Sequence, residues 1–213
     1  MPITKNSRLF LKAIKQHIPM KPCEDHFFGT VDTQNKRWII SPTSHTDYNE
    51  RCKIHKQLVA EKLPVLVILL ESPHKDEFEN TPYMPAKGNT GKNLLKYFAA
   101  RCPSLPASMY KVLLVNVIQY QCSLGVPTKN NRTDIFLSMW EKTPIKNSLT
   151  RRLKKCSPAV IINCCTKGGD SNLRVMIQNE INEIQYENIP LFYHASHPSF
   201  WKQSTIIHSN GGR

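Results

Sequence analysis

The order of hydrophobic and polar positions predicts strands that alternate with helices from residue 64 onward. Four short apolar runs have the length and the branched side chains of buried strands. They are Val65–Leu70, Lys111–Gln119, Ala159–Cys164 and Pro190–His194. Strands separated by helices of ordinary length favour a parallel sheet with right-handed crossovers. We therefore expect an α/β fold, a three-layer α/β/α domain with a central four-stranded parallel sheet.

In the segments between these strands, apolar residues recur at the spacing of a helix. Asn89 or Thr90 can cap a first helix, and a helical region is predicted over Thr133–Lys155 with a break at its proline. Asp170 or Ser171 can cap a third helix. The pattern is least regular over residues 1–60, which we expect to form an N-terminal extension packed on a domain spanning residues 61–213.

The charge balance points to a polyanionic partner. The chain has 213 residues, of which 40% are hydrophobic, so it can bury one full core. Its 29 Lys and Arg exceed its 16 Asp and Glu, giving a formal net charge of +13. Nucleic acid is the commonest partner of such a surface. The alternative is a basic protein whose charge is incidental. The basic run Arg151–Lys155 is more typical of a solvated helix end than of a phosphate contact.

Cysteine usage and hydropathy bear on the compartment. The seven cysteines are an odd number in a chain whose first residues show no apolar signal core. The longest apolar run is Val65–Leu70, far short of the roughly 18 residues that a membrane helix needs. Free thiols in a reducing compartment fit better than a disulfide framework. We expect a cytoplasmic protein without membrane association, and nothing in the sequence requires more than a monomer.

Polar residues stand where three of the predicted strands end. Glu71 follows the first strand, Asn116 interrupts the apolar run of the second, and His197 comes after the last. The carboxyl ends of neighbouring parallel strands border one crevice, where ligands of open α/β sheets bind. These three side chains are therefore expected to converge on one site.

The segments around these residues resemble signature motifs of the uracil-DNA glycosylase superfamily. Val112–Val117 (Val-Leu-Leu-Val-Asn-Val) and Ser196–Ser199 (Ser-His-Pro-Ser) are similar to its second and third motifs. Glu71-Ser72-Pro73 resembles the Gly-Glu-Ala-Pro-Gly motif of the thermophilic-type branch, with Leu70 in place of the first glycine. The order and spacing of the motifs agree over residues 64–205, about two-thirds of the chain.

The chemistry of base excision assigns a role to each of the three residues. Breaking an N-glycosidic bond develops positive charge on the sugar and negative charge on the leaving base. A carboxylate such as Glu71 would stabilise the cation and orient water, and His197 would donate a hydrogen bond to the base anion. The Asn116 carboxamide would read the edge of a flipped base. Each residue also has a purely structural alternative. Glu71 could be a strand-end acid in a structural ion pair, Asn116 an asparagine hydrogen-bonded to the backbone, and His197 a histidine satisfied by partners in a loop.

The resemblance also implies contacts to the DNA backbone and to the base stack. Ser72 and Ser199 lie in proline-containing turns, similar to the family's loops that grip phosphates beside the flipped nucleotide. Trp201 falls where the family carries an apolar wedge that fills the gap left by the base. Stacking between bases would suit an indole, but an ordinary core tryptophan is the alternative.

The base pocket is less well defined by the motifs. Tyr83 is the candidate for the aromatic side chain that stacks on the target base, with Met84 and Tyr120 as competitors. His74 occupies the position of a tyrosine that excludes thymine in the strictest uracil enzymes. This departure leaves the target base open, and a base larger than uracil could enter.

The resemblance implies a monofunctional DNA glycosylase that acts on uracil or on a hypermodified cytosine, in DNA repair or in antiviral defence against phage DNA. The alternative is a catalytically silent nucleic-acid-binding module of the same fold. A hydrolase acting on a small anionic substrate is a further rival. We expect no catalytic cofactor, and no iron–sulfur cluster because the chain has no Cys-x-x-Cys pair.

Two similar Cys/His pairs form a separate candidate metal site. Cys23-x-x-His26 and Cys52-x-x-His55 together supply two thiolates and two imidazoles. Such a set could hold a tetrahedral structural zinc and order the irregular N-terminal region. The alternative is chance spacing, since the chain has 8 histidines and the Cys-then-His order is uncommon.

Overall fold

The computed structural model describes residues 22–40, 62–78, 85–86, 88–120, 136–137, 139–141, 143–166, 172–202 and 207–209. Its strands are β1 His26–Asp32, β2 Arg37–Ile40, β3 Val65–Leu70, β4 Met109–Asn116, β5 Pro158–Asn163, β6 Leu191–His194 and β7 His208–Ser209. Its α-helices α1, α2 and α3 span Asn89–Tyr97, Thr143–Cys156 and Leu173–Asn182. Among the residues just given, no helix is long and apolar enough to cross a membrane.

One mixed sheet of seven strands runs through the protein, in the order β2-β1-β4-β3-β5-β6-β7. The four predicted strands correspond to β3, β4, β5 and β6, which are neighbours and mutually parallel. Antiparallel strands flank them, with β1 and β2 at one edge and β7 at the other. The α/β class is confirmed, but the central four-stranded parallel sheet is not, because its four parallel strands belong to a mixed sheet of seven. The flanking strands lie in segments with no long apolar run.

Alternate strand residues pack on opposite faces of the sheet because successive side chains of a strand point to opposite sides. On one face, Ile68 belongs to the same buried cluster as Leu94 and Phe98, which come from α1 and its C-terminal end. On the other face, Val67 shares a cluster with Leu153 of α2 and with apolar residues of α3. Helices therefore cover both faces of the sheet, an arrangement compatible with three α/β/α layers.

The helix starts differ slightly from those predicted. The residue that caps α1 is Gly88, one position before Asn89 and two before Thr90. For α3 the capping residue is Asn172, whose side chain accepts a hydrogen bond from the Val175 N–H, while the predicted caps lie outside the described residues. Helix α2 begins at Thr143, so Pro144 occupies its first turn, where its missing N–H costs no intrahelical bond. For α1 and α3 the difference is one or two residues.

Part of the expected N-terminal extension belongs to the sheet. Strand β1 pairs antiparallel with β4, from His26 opposite Leu114 to Asp32 opposite Met109. Just before it, the Cys23 N–H donates to the Gln119 carbonyl oxygen at 2.8 Å. Residues 22–32 therefore run along β4 to the end where Asn116 lies.

Candidate active site

Strands β3 and β4 end side by side. Leu70 pairs with Asn116 in the parallel register. The pairing continues beyond the strands, since the Val117 N–H donates to the Leu70 carbonyl oxygen at 2.8 Å and the Ile118 N–H to that of Glu71 at 3.1 Å. The backbone ladder thus fixes the relative positions of Glu71 and Asn116, as the strand-end reasoning predicts.

A cavity of about 310 Å³ lies at this edge of the sheet. Five of the predicted site residues line it, namely Ser72, His74, Asn116, His197 and Ser199. The other lining residues are Leu70, Pro73, Glu77, Gly88, Asn89, Thr90, Thr166 and Phe200. The wall is rich in hydroxyl and amide groups, so it offers many hydrogen bonds to a polar ligand.

Glu71 lies behind the cavity wall rather than in it. The side chain is 1% exposed, and one carboxylate oxygen accepts a short hydrogen bond from the hydroxyl of Thr166, which does line the cavity. The segment that carries Thr166 is fixed by Arg174, whose Nε donates to the Cys165 carbonyl oxygen at 2.9 Å. The Cys165 N–H donates in turn to Asn163 Oδ1 at 3.1 Å. Thr166 follows β5 as Glu71 follows β3, so the strand-end rule could have found it.

The Asn116 side chain is buried, and the residue lines the cavity. It is 1% exposed, and its Nδ2 donates to the Cys23 sulfur at 3.9 Å. Among the described residues, its Oδ1 has no hydrogen-bond partner. A buried carbonyl oxygen without a donor costs about 1–3 kcal/mol, and a ligand N–H would remove that cost. The amide therefore offers an acceptor to whatever fills the cavity.

His197 starts a short 3-10 helix, Pro198–Phe200, that forms another part of the wall. Its Nδ1 accepts from the Ser199 N–H at 3.3 Å and lies 2.9 Å from the Ser199 hydroxyl oxygen. Because a backbone N–H can only donate, Nδ1 must be the acceptor in this contact and carries no proton. In the neutral ring the proton therefore sits on Nε2, which is a donor. Asn93 of α1 holds this turn by donating to the carbonyl oxygens of Pro198 and Ser199 at 3.0 and 3.1 Å.

A second carboxylate that the sequence reasoning missed, Glu77, lines the cavity directly. It is 6% exposed, and its Oε1 accepts from the Ala86 N–H at 2.8 Å. It lies in a tight turn, in which its N–H donates to the His74 carbonyl oxygen at 3.0 Å. Its neighbours Lys75 and Asp76 are charged, so the sequence predicts a solvated loop here and gives no signal that Glu77 is buried.

The two aromatic residues after the histidine motif have opposite environments. Trp201 is 3% exposed, stacks on Phe98 with ring centroids 6.1 Å apart, and donates from Nε1 to the Ser196 carbonyl oxygen at 2.7 Å. It packs in the core, as the ordinary-core alternative has it, and is not among the residues that line the cavity. Phe200 is 70% exposed and lines the cavity, so among the described residues it offers an aromatic side chain at this rim.

Several expectations concern residues that the structure does not describe. Tyr83 and Met84, the base-stacking candidates, lie outside the described residues, as do Cys52 and His55 of the second Cys/His pair. Tyr120 packs with the cluster on the α2 and α3 face.

The first Cys/His pair is described. Cys23 is fully buried with its sulfur against the Asn116 amide, and His26 lies in β1. Within the described ranges, no group of three or more metal-ligating side chains could hold a metal ion. Because half of the proposed ligand set lies beyond those ranges, the zinc site stays a prediction.

No family model matches the chain, and no curated protein or solved structure gives a significant match to it. The resemblance to uracil-DNA glycosylases therefore rests on short motifs, and the chemistry of the cavity must carry any functional assignment. That chemistry consists of a buried acceptor at Asn116, a donor at His197, and two buried carboxylates, one in the wall and one behind it.

Proposed function

We propose that this protein is a monofunctional DNA glycosylase that hydrolyses the N-glycosidic bond of a flipped-out, modified or damaged pyrimidine. The observation that carries the proposal is the grouping of Glu71, Asn116 and His197, the residues of the three motifs, around one cavity where parallel strands end. Uracil or a hypermodified cytosine is the proposed target. The setting is DNA repair or defence against phage DNA.

Asn116 is the proposed reader of the base. Asn116 lines the cavity, and its buried Oδ1 can accept from an N–H on the edge of a base, which would satisfy the amide. Enzymes that act on a flipped base recognise it by hydrogen bonds to this edge. A cavity of about 310 Å³ falls at the lower end of the range for small-molecule sites, as suits a single nucleotide.

His197 is the proposed stabiliser of the leaving base. As the bond to the sugar breaks, its electron pair goes to the base, which becomes an anion. A neutral histidine with the proton on Nε2 donates to that anion without the cost of burying a charge, and its Nδ1 is already occupied by Ser199. The fixed ring orientation makes the donor ready before the bond breaks.

Glu71 is the proposed acid group beneath the sugar. Its negative charge, in a buried site of low dielectric, stabilises the oxocarbenium cation, and the water that attacks the anomeric carbon is oriented through the Thr166 hydroxyl that links the carboxylate to the cavity. The water proton passes to the carboxylate or to solvent, and a hydroxyl replaces the base on the sugar. The hydrogen bond from Thr166 fixes the carboxylate and connects it to the cavity.

The net charge and the cavity rim support DNA as the ligand. A formal charge of +13 favours a polyanion, and the exposed Phe200 ring offers a surface on which a base can stack. Ser72 and Ser199 line the cavity and can donate to phosphate oxygens. Because lysine and arginine neutralise phosphates, we expect the affinity for DNA to fall steeply as salt rises.

The test is base release and abasic-site formation on a panel of DNAs that contain uracil, thymine mismatches or phage-type modified cytosines. We expect the wild type to release one kind of base, and Glu71→Gln and Asn116→Ala to lower the rate by about 10²-fold or more. Glu77→Gln is the matched control, because glutamine keeps an oxygen for the Ala86 N–H. We expect a smaller loss for this variant.

The outcomes separate the candidate functions. If Glu77→Gln abolished release while Glu71→Gln did not, the carboxylate role would move to Glu77 within the same activity. Absence of release from every DNA, with tight and salt-sensitive binding, would refute the enzyme and favour a catalytically silent nucleic-acid-binding module. Weak binding that does not respond to salt would favour a hydrolase of small anionic substrates.

A further inference from the structure

An ion pair between Asp25, before β1, and Arg152 of α2 lies next to the end of β4. Arg152 Nη1 and Asp25 Oδ1 are 2.6 Å apart, and the two side chains are 14% and 24% exposed. Gln119 Nε2 also donates to Asp25 Oδ1, at 3.4 Å. Burial raises the pKa of the Asp25 carboxyl, and the Arg152 charge and hydrogen bond oppose that rise. Although it stands in a basic run, Arg152 is therefore not simply a solvated helix end.

The other terminal nitrogen of Arg152 contacts the backbone of the proposed base reader. Nη2 donates to the carbonyl oxygen of Asn116 at 3.0 Å and to that of Val117 at 3.1 Å. One planar guanidinium thus bonds a carboxylate on one side and two consecutive carbonyls on the other. Arginine has the rigid fork of donors for this arrangement, and the single ammonium of lysine does not.

The N-terminal segment that carries Asp25 also holds the Asn116 side chain. Cys23 is joined to the β4 side by its N–H bond to the Gln119 carbonyl oxygen, and its sulfur accepts from Asn116 Nδ2. The Asn116 backbone is therefore held by Arg152 and its amide group by Cys23. With the amide nitrogen turned to Cys23, Oδ1 is the polar atom left for the cavity.

We propose that Arg152, anchored by Asp25, is a positioning residue that fixes the Asn116 amide for reading the base. The inference rests on the proposed function for the meaning of that amide, but the contacts themselves do not depend on it. A shift of about 1 Å in a positioned group can cost about 10²-fold in rate. We expect loss of the Arg152 fork to act through Asn116 and not through general unfolding.

A double-mutant cycle measures this dependence. Arg152→Lys keeps a positive charge for Asp25 but removes the fork, and Arg151→Lys makes the same change at the exposed neighbouring position. On the DNA whose base is released, we expect Arg152→Lys to lower kcat/KM by about 10- to 10²-fold and Arg151→Lys to leave it unchanged. In the Asn116→Ala background, Arg152→Lys should cost nothing more. An equal loss in both backgrounds, or no loss in either, overturns the proposal.

A second measurement keeps this test separate from the test of the enzyme. The side-chain NH₂ signals of Asn116 in a ¹H–¹⁵N spectrum are assigned by their loss in Asn116→Ala. They should move in Arg152→Lys and not in Arg151→Lys. Signals that stay in place overturn the positioning role even where base release occurs. If the wild type releases no base but the signals move, the proposed function fails and the positioning role stands.

Asp25→Asn provides an alternative variant in case Arg152→Lys does not fold. Asparagine has the shape of aspartate without its charge, so it weakens the anchor while leaving the guanidinium in place. We expect the Asn116 NH₂ signals to move in the same direction by a smaller amount. Unchanged signals in a folded Asp25→Asn protein would show that the ion pair does not hold Asn116.

Discussion

Replacing Gly91 in the first turn of α1 is expected to destabilise the protein. A Cβ atom at this position would lie 2.0 Å from the backbone oxygen of Ala86. Ala86 cannot easily retreat, because it is 6% exposed, has a left-handed φ of 64°, and donates its N–H to Glu77 in the cavity wall. Removing this close contact therefore requires a shift of the backbone of the helix or of the loop, because rotation of a side chain cannot move the Ala86 carbonyl oxygen.

Two opposing effects set the size of the loss. Alanine is better than glycine inside a helix by about 1 kcal/mol. Overpacking of a buried site typically costs about 1–3 kcal/mol and sometimes more, and a contact of 2.0 Å with backbone belongs at the upper end. We expect Gly91→Ala to lower the free energy of unfolding by about 2 kcal/mol net. For a chain of this size that is a fall in Tm of roughly 4–8 °C.

The assay is thermal unfolding followed by circular dichroism, with Gly88→Ala as the matched control. A Cβ at Gly88 meets nothing within 4 Å, so that variant carries only the small cost of changing a helix cap, about 1 kcal/mol or less. A Gly91→Ala protein as stable as the wild type would refute the argument from the Ala86 contact. Equal losses in the two variants would show that the contact is not the cause.

Three further predictions concern packing, thiol burial and the pH dependence of stability. Trp201→Ala should lower the free energy of unfolding in denaturant by about 3–5 kcal/mol, because the indole is buried against Phe98. Phe200→Ala should cost less than about 1 kcal/mol, because that ring is exposed. The opposite ranking would contradict this assignment. Burial raises the pKa of the Cys164 thiol from 9.0 to about 12, against a smaller opposing effect of Arg174. Iodoacetamide at pH 8 should therefore leave Cys164 unmodified until the chain is unfolded in urea, as read by peptide mass spectrometry. Since the folded-state pKa is raised, the contribution of this thiol to stability should be present below pH 9 and be lost as the pH rises toward 12. Alkylation of Cys164 in the folded protein would refute its burial.

Local pattern was enough to predict the four parallel strands. Each buried strand, such as Val65–Leu70, is a continuous run of apolar side chains that needs no partner to be visible. Because parallel strands end at one edge, the positions of Asn116 and His197 beside one cavity could also be predicted. The starts of α1 and α3 were found to within one or two residues, since capping and apolar spacing are local signals.

Strand β1 was not predicted because it is stabilised by pairing with a distant part of the chain and not by a local apolar pattern. Its sequence, His-Phe-Phe-Gly-Thr-Val-Asp, contains a glycine and buries the polar Thr30 and Asp32. It pairs with β4, about eighty residues away, and that partner is not visible in a local window. The seven-stranded sheet therefore follows from long-range pairing.

The sequence alone determined the α/β class and the candidate residues Glu71, Asn116 and His197, because both depend on short-range pattern. Only the tertiary structure decided which side chains are buried and what they contact. It put Glu77 into the cavity wall, although its sequence neighbours are charged, and turned Arg152 from a basic run toward the end of β4. The physical reason is that burial and hydrogen bonding are set by segments far apart in the chain, whereas periodicity records only the neighbours of each residue.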